Sequence, residues 1–251
     1  MSLGLSTSLS KGGLATPSIV TDSLVLKHNY AAGGVTPVSD GAAYFVRSAT
    51  DYIDLDSHIG DFSSLNVGSI ACWFKTSTAG TFQYLVTASD KTDDTSDINL
   101  GLNGDNKVIL LIREAGSTLV TIASSSTYTD GAWHYAVATQ NATTSKLYVD
   151  GVLESATDSG EWFNDVNDLD TLRIGNREDD DGHEFHFDGY ICNVGIWSAA
   201  LTQAQIKSIM WKNYAGLTST ETTGLVSWWN LDEADGSTVE DLHGSNNGTL
   251  T

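Results

Sequence analysis

Two short stretches of the chain concentrate oxygen ligands. SDKTDDTSD carries Asp90, Asp93, Asp94 and Asp97, and NREDDDG carries Asn176, Glu178, Asp179, Asp180 and Asp181. Loops rich in carboxylates and glycine suit a hard cation such as calcium, which takes roughly six to eight oxygen donors. The same residues also fit a solvated acidic rim, because 32 acidic residues stand against 12 basic ones and the formal charge is −20. A third stretch, DGAWHYAVATQNATTSKLYVDG, holds His134 together with Asp130 and Asp150 and poses acid–base chemistry. Its alternation reads equally as two strands and their turns, with the three residues as framework.

Other chemistries find less support. A glycosidase needs two carboxylates facing one scissile bond. DYIDLD offers Asp51, Asp54 and Asp56, and EFHFD offers Glu184 and Asp188, but neither forms an even-spaced catalytic run; Asp54 and Asp56 with Tyr52 read as the wet side of an edge strand. The six histidines (His28, His58, His134, His183, His186, His243) include no His-Glu-x-x-His pair. His183 and His186 point to opposite faces if their segment is a strand. No Gly-x-Ser-x-Gly elbow is present. Sugar stacking needs an exposed aromatic. Trp162 and Phe163 lie in the long polar run SGEWFNDVNDLD and are the glycan-binding candidates, with Trp211 and one of Trp228 and Trp229 behind them. Trp73, Trp133 and Trp197 fall within strands and read as core.

Strands must position these groups. SLVLKHNY, AAYFV, DYIDL, SIACWFK, FQYLVTA, DINLGL, KVILLIR, TLVTIAS, WHYAVAT, KLYVD, TLRIG, FHFDGYICNVGIW and LVSWWNL alternate or are β-branched and aromatic. Gly- and Asp-rich turns separate them. Only TQAQIKSIMWK reads as a helix: Thr202 and Gln205 have capping-box spacing, and Ile206, Ile209 and Met210 share a face. The expected class is all-β, a two-sheet antiparallel jelly-roll sandwich with one short helix on the C-terminal side. Residues 1–22 are small and polar and read as an N-terminal arm; residues 23–251 read as a single domain. Cys72 and Cys192 lie in apolar strands and read as core residues, although a disulfide stays open.

The blocks DGAWHYAVATQNATTSKLYVDG and LRIGNREDDDGHEFHFDGYICNVGIWSAALTQAQIKSI, in that order, resemble the laminin-G-like and pentraxin-like domains of the concanavalin-A-like superfamily. So does the upstream block DYIDLDSHIGDFSSLNVGSIACWFK. The resemblance spans roughly residues 40 to 212. It implies the jelly roll, and it implies calcium as a cofactor held by Asp94 or Asp97 with Glu178 and Asp179. Arg177 departs from that pattern, standing where the family has an acidic ligand.

The expected function is non-enzymatic, with a virion role as the main reading and glycan binding as the alternative. Stand-alone domains of this kind resemble structural proteins of tailed bacteriophage virions. That resemblance implies a capsid decoration or tail- and fibre-associated surface protein, docking through its arm on capsid or tail proteins and self-associating as a symmetric oligomer. The alternative is a calcium-assisted, lectin-like adhesion domain, extracellular or on a cell surface, that binds cell-surface glycans. The acidic surface argues against nucleic acid and anionic membranes as partners. No apolar run approaches the roughly 18 residues of a membrane span, and the N-terminus has no apolar signal core.

Overall fold

In SIACWFK every residue from Ile70 to Phe74 is apolar, so both faces of that strand must be covered. A computed structural model of the chain, describing residues 36–180 and 182–251, shows how. Seven strands form one antiparallel sheet in the order β1, β14, β3, β8, β9, β10, with β15 also pairing β14. They are β1 (Ala43–Phe45), β3 (Gly68–Lys75), β8 (Trp133–Gln140), β9 (Ser145–Val149), β10 (Val152–Thr157), β14 (Gly189–Trp197) and β15 (Leu225–Trp229). The second sheet has eight strands, ordered β16, β17, β2, β11, β4, β5, β6, β7. These are β2 (Ile53–Asp54), β4 (Gln83–Ser89), β5 (Asp97–Leu102), β6 (Val108–Glu114), β7 (Ser117–Ala123), β11 (Thr171–Ile174), β16 (Thr238–Val239) and β17 (Gly248–Leu250). A separate hairpin pairs β12 (Arg177–Asp179) with β13 (Gly182–Glu184). The expected all-β sandwich is the fold observed.

Alternate residues divide the core in two. Ile70, Cys72 and Phe74 of β3 join Leu85, Leu100, Leu110, Ile174 and Ile191 between the sheets. Ala71 and Trp73 point outward and join Tyr135, Val137, Trp197 and Trp228 in a second cluster. That cluster is roofed by the one α-helix, α1 (Gln203–Ile209), through Ile206 and Ile209. Thr202 caps α1 with the expected box: Gln205 N–H donates to Thr202 Oγ1 at 3.3 Å, and Thr202 N–H donates to Gln205 Oε1 at 2.9 Å. Trp73 Nε1 donates to Met210 O at 3.1 Å and ties the roof to the sheet. Adjacent Trp228 and Trp229 are both fully buried, one in each cluster, because the roof covers the face that a single-core sandwich would leave wet. Cys72 and Cys192 are free thiols, buried in different clusters.

Two expectations change. DYIDL is not an edge strand, because β17, near the C-terminus, pairs with β2 at Thr249–Asp54 and Leu250–Ile53. The NREDDDG loop is in part a hairpin, β12–β13. The arm at 1–22 and the strand SLVLKHNY lie outside the described residues.

Candidate functional site

The expected calcium residues come together around guanidinium groups. Asp97 opens β5 directly opposite Arg113 of β6. Arg113 Nε donates to Asp97 Oδ1 at 3.0 Å, and its Nη2 reaches the other carboxylate oxygen. Arg177, from β12, donates through Nη1 to Asp97 Oδ2 at 2.7 Å, and through Nη2 to Asp179 and, at 2.9 Å, to Glu184. Asp97 is 1% exposed and Arg177 5%. Arg173 takes the remaining acids: it forks onto Asp56 at 3.2 and 2.7 Å, contacts Glu178, and lies over the Tyr52 ring at 4.5 Å. Asp94 is exposed and offers its backbone carbonyl, not its carboxylate, to Arg113 at 2.7 Å. Asp90 and Asp93 fold back on Thr92, Thr95 and Ser96. The hydroxyls of Thr95 and Ser96 hold the Asp93 carboxyl below its ordinary range.

This donor set does not fit calcium. Both oxygens of Asp97 already receive guanidinium N–H groups, and Glu178 and Asp179 are likewise paired. Among the described residues no group of three or more His, Cys, Asp or Glu side chains is placed to hold a metal. Arg177, a departure from the family pattern, supplies the positive charge from within the chain.

Trp162 and Phe163 are corrected as sugar platforms: both rings are 0% exposed. They belong to the inter-sheet core together with Val166 and Leu169 of the same loop. The polar run hides an apolar anchor, since a long loop stays on the surface of a sandwich only if some of its side chains reach inside. Gly68 is required beneath it: a Cβ there would stand 2.7 Å from Trp162 Nε1 and 2.5 Å from the Trp197 carbonyl.

His134 has both ring nitrogens occupied, Nδ1 at 2.8 Å from Asp150 and Nε2 at 3.1 Å from Asp130. Asp150 also accepts from Tyr135 N–H at 2.8 Å, so the cluster pins the β9–β10 turn to the start of β8. Burial works against the imidazolium, but the two carboxylates outweigh it and raise the His134 pKa. A neutral ring donates only one N–H and serves only one of the two acids. The stabilisation is therefore complete below about pH 6.5 and is lost as pH rises through the elevated folded value. We expect His134→Gln to cost on the order of 1–2 kcal/mol at pH 5.5 and less at pH 9. Urea midpoints of both proteins across that range measure it, and a pH-independent difference would refute the pairing.

The exposed chemistry lies on the first sheet. Tyr44 of β1 stands opposite Tyr190 of β14, Tyr190 opposite Lys75 of β3, and Lys75 opposite Trp133 of β8. Opposite residues share a face, so the four side chains form one row across four strands. The row lies one pleat beyond Cys192, Trp73 and Tyr135, where the α1 roof ends. Tyr44 is 56% exposed and Tyr190 39%. Their rings lie 4.6 Å apart, with Trp133 at 6.2 Å and Lys75 Nζ at 5.9 Å from the Tyr190 ring. Beside the row is a cleft of about 160 Å³ lined by Lys75, Thr76, Ser77, Gly131 and Asp188. Asp188 is oriented by Thr78 Oγ1, which donates at 2.6 Å. Gly189, with φ of 140°, allows the close approach of β14 to β3, since a Cβ would lie 2.1 Å from the Lys75 carbonyl. Trp133 thus differs from expectation: it is half-buried at the sheet surface rather than inside the core. The parity of Lys75 with Trp73, and of Trp133 with Tyr135, was readable; the pairing that lines them up was not.

A family model described as "Concanavalin A-like lectin/glucanases superfamily" matches residues 47–207, more than half of the chain. The chain belongs to that laminin-G-type family. The carbohydrate-binding module CBM40 of the Ruminococcus gnavus IT-sialidase is similar in fold, with a TM-score of 0.61 at 15% identity over 68% of this chain and 97% of that one. A putative carbohydrate-binding protein from Bacteroides ovatus has a TM-score of 0.60 at 19% identity, over 83% of this chain and 57% of that one. The Streptococcus pneumoniae NanB sialidase has a TM-score of 0.58 at 16% identity, over 71% of this chain and 29% of that one. No curated protein matches the sequence.

Proposed function

We propose that the domain binds glycans without cleaving them, as an extracellular or cell-surface module. The observation that carries this reading is the exposed row Tyr44–Tyr190–Lys75–Trp133 beside a polar cleft. Exposed rings present flat apolar surface to the C–H face of a sugar, while Lys75 and Asp188 offer a donor and an acceptor to its hydroxyls. The fold neighbours support the reading: one is a carbohydrate-binding module by name, and the same CBM40 is also known bound to α2,3-sialyllactose. The state of the acids supports the absence of hydrolysis. Asp56 and Glu184, two of the carboxylates weighed as catalytic, are neutralised by Arg173 and Arg177, and Asp188 is held by Thr78.

The calcium-assisted part of the lectin reading is set aside, because arginines hold the ligand residues. The virion reading rests on the arm at 1–22, outside the described residues, and none of the similar structures named above is a virion component. A glycan array tests the proposal. Wild-type protein should give saturable binding to a subset of glycans, unchanged by a chelator, and Tyr190→Ala should weaken it by about tenfold or more, equivalent to about 1.4 kcal/mol. Full retention of binding by Tyr190→Ala would place the site elsewhere.

A further inference from the structure

Tyr44 borders two clefts. On one side is the cleft of Lys75 and Asp188, about 160 Å³. On the other is a larger one, about 470 Å³, between β1 and the loop that precedes β16. Its floor is apolar, from Ile53, Leu231, Val239 and Leu250, and its acidic lining residues are Asp40, Asp232 and Glu233, with no Lys, Arg or His among the described residues. Two of the carboxylates are held in place: Asp232 accepts from Asn230 Nδ2 at 3.2 Å, and Glu233 from the Glu240 N–H at 2.8 Å.

We infer that the ligand is a neutral oligosaccharide chain that passes over Tyr44 and occupies both clefts, and that acidic sugars are rejected. The inference rests on the glycan-binding reading. Chain length follows from geometry: a single sugar fills one cleft, whereas a ligand that uses the most exposed ring of the row meets both walls of Tyr44. The sugar class follows from charge. Ionised carboxylates only accept hydrogen bonds, which suits hydroxyl donors and repels a sialate or uronate carboxylate. Among the described residues the two clefts are lined by four carboxylates and one ammonium, that of Lys75. The chain's net charge of −20 adds to the repulsion at long range. Arg113, Arg173 and Arg177 are already committed to carboxylates of the protein, and Arg47, whose guanidinium donates to Phe82 O and Thr81 Oγ1, lines neither cleft.

The test is an array carrying neutral oligosaccharides of graded length, their monosaccharides, and sialylated and uronate-bearing counterparts, probed with the full chain. Neutral chains of about three or more units should exceed both monosaccharides and acidic glycans by about tenfold. Tyr44→Ala should erase the length dependence. Ala234→Trp, at an exposed position on the larger cleft, should shorten the preferred chain while leaving the smaller cleft working. Equal or stronger binding of acidic glycans overturns the charge argument. Binding without length dependence, or indifferent to Tyr44→Ala and Ala234→Trp, overturns the two-cleft site and leaves the glycan reading standing. Binding to no glycan overturns both.

Discussion

Replacing Arg177 with methionine will destabilise the sandwich by about 3–5 kcal/mol, the usual cost of removing one partner from a buried charge cluster. Arg177 is 5% exposed and donates to Asp97, Asp179 and Glu184, of which Asp97 and Asp179 are themselves buried. Methionine keeps most of the side-chain volume, so the loss reports charge rather than packing. For a domain of this size the melting temperature should fall by about 6–20 °C. Arg177→Lys should fall between, because one ammonium cannot fork across three acids. The companion measurement concerns the metal. A ligand that binds only the folded state raises the melting temperature, so millimolar calcium should leave the wild-type transition where it is. A clear upward shift with calcium, or an Arg177→Met protein as stable as wild type, would refute the assignment of Arg177 as the internal cation.

The fold was legible where alternation is strong. SIACWFK and WHYAVAT read as strands because most positions are apolar or β-prone, whereas the register that pairs Phe74 with His134 and Ile70 with Ala138 is a fact of the structure. The strand β10, VLESAT, escaped because its burial is partial and its pattern mixed. The hairpin β12–β13 escaped because it is three residues a side and made of charged residues, and it is held by its arginine pairs rather than by an apolar face. The site was less legible for a related reason. Arg177 was visibly out of place in a ligand pattern, but its role depends on Asp97 lying opposite Arg113, a fact of register. The Tyr44–Tyr190 pair joins residues of distant strands, and only the β1–β14 pairing reveals it. Trp162 was misplaced because the polarity of its neighbours outweighed the ring itself.

The two aromatic positions, Trp162 and Tyr190, should therefore give opposite results when truncated. Trp162→Ala removes a fully buried indole from the inter-sheet core, where it packs edge-on to Phe163 at 5.5 Å. Such a truncation costs about 3–5 kcal/mol, from lost burial and from the cavity left behind. The chain around it should loosen as a unit, because Trp162, Phe163, Val166 and Leu169 are the buried apolar anchors of the loop before β11. Protease sensitivity between residues 158 and 170 should rise accordingly. Where the variant remains folded, its glycan binding should match wild type. Tyr190→Ala should do the reverse, changing stability by less than about 1 kcal/mol, as partly exposed surface substitutions do, while weakening the glycan. Urea midpoints and array signals on the same two proteins decide the matter. A Trp162→Ala protein of undiminished stability that no longer binds sugar would return the platform to the polar loop, and would leave the row on the first sheet without a function.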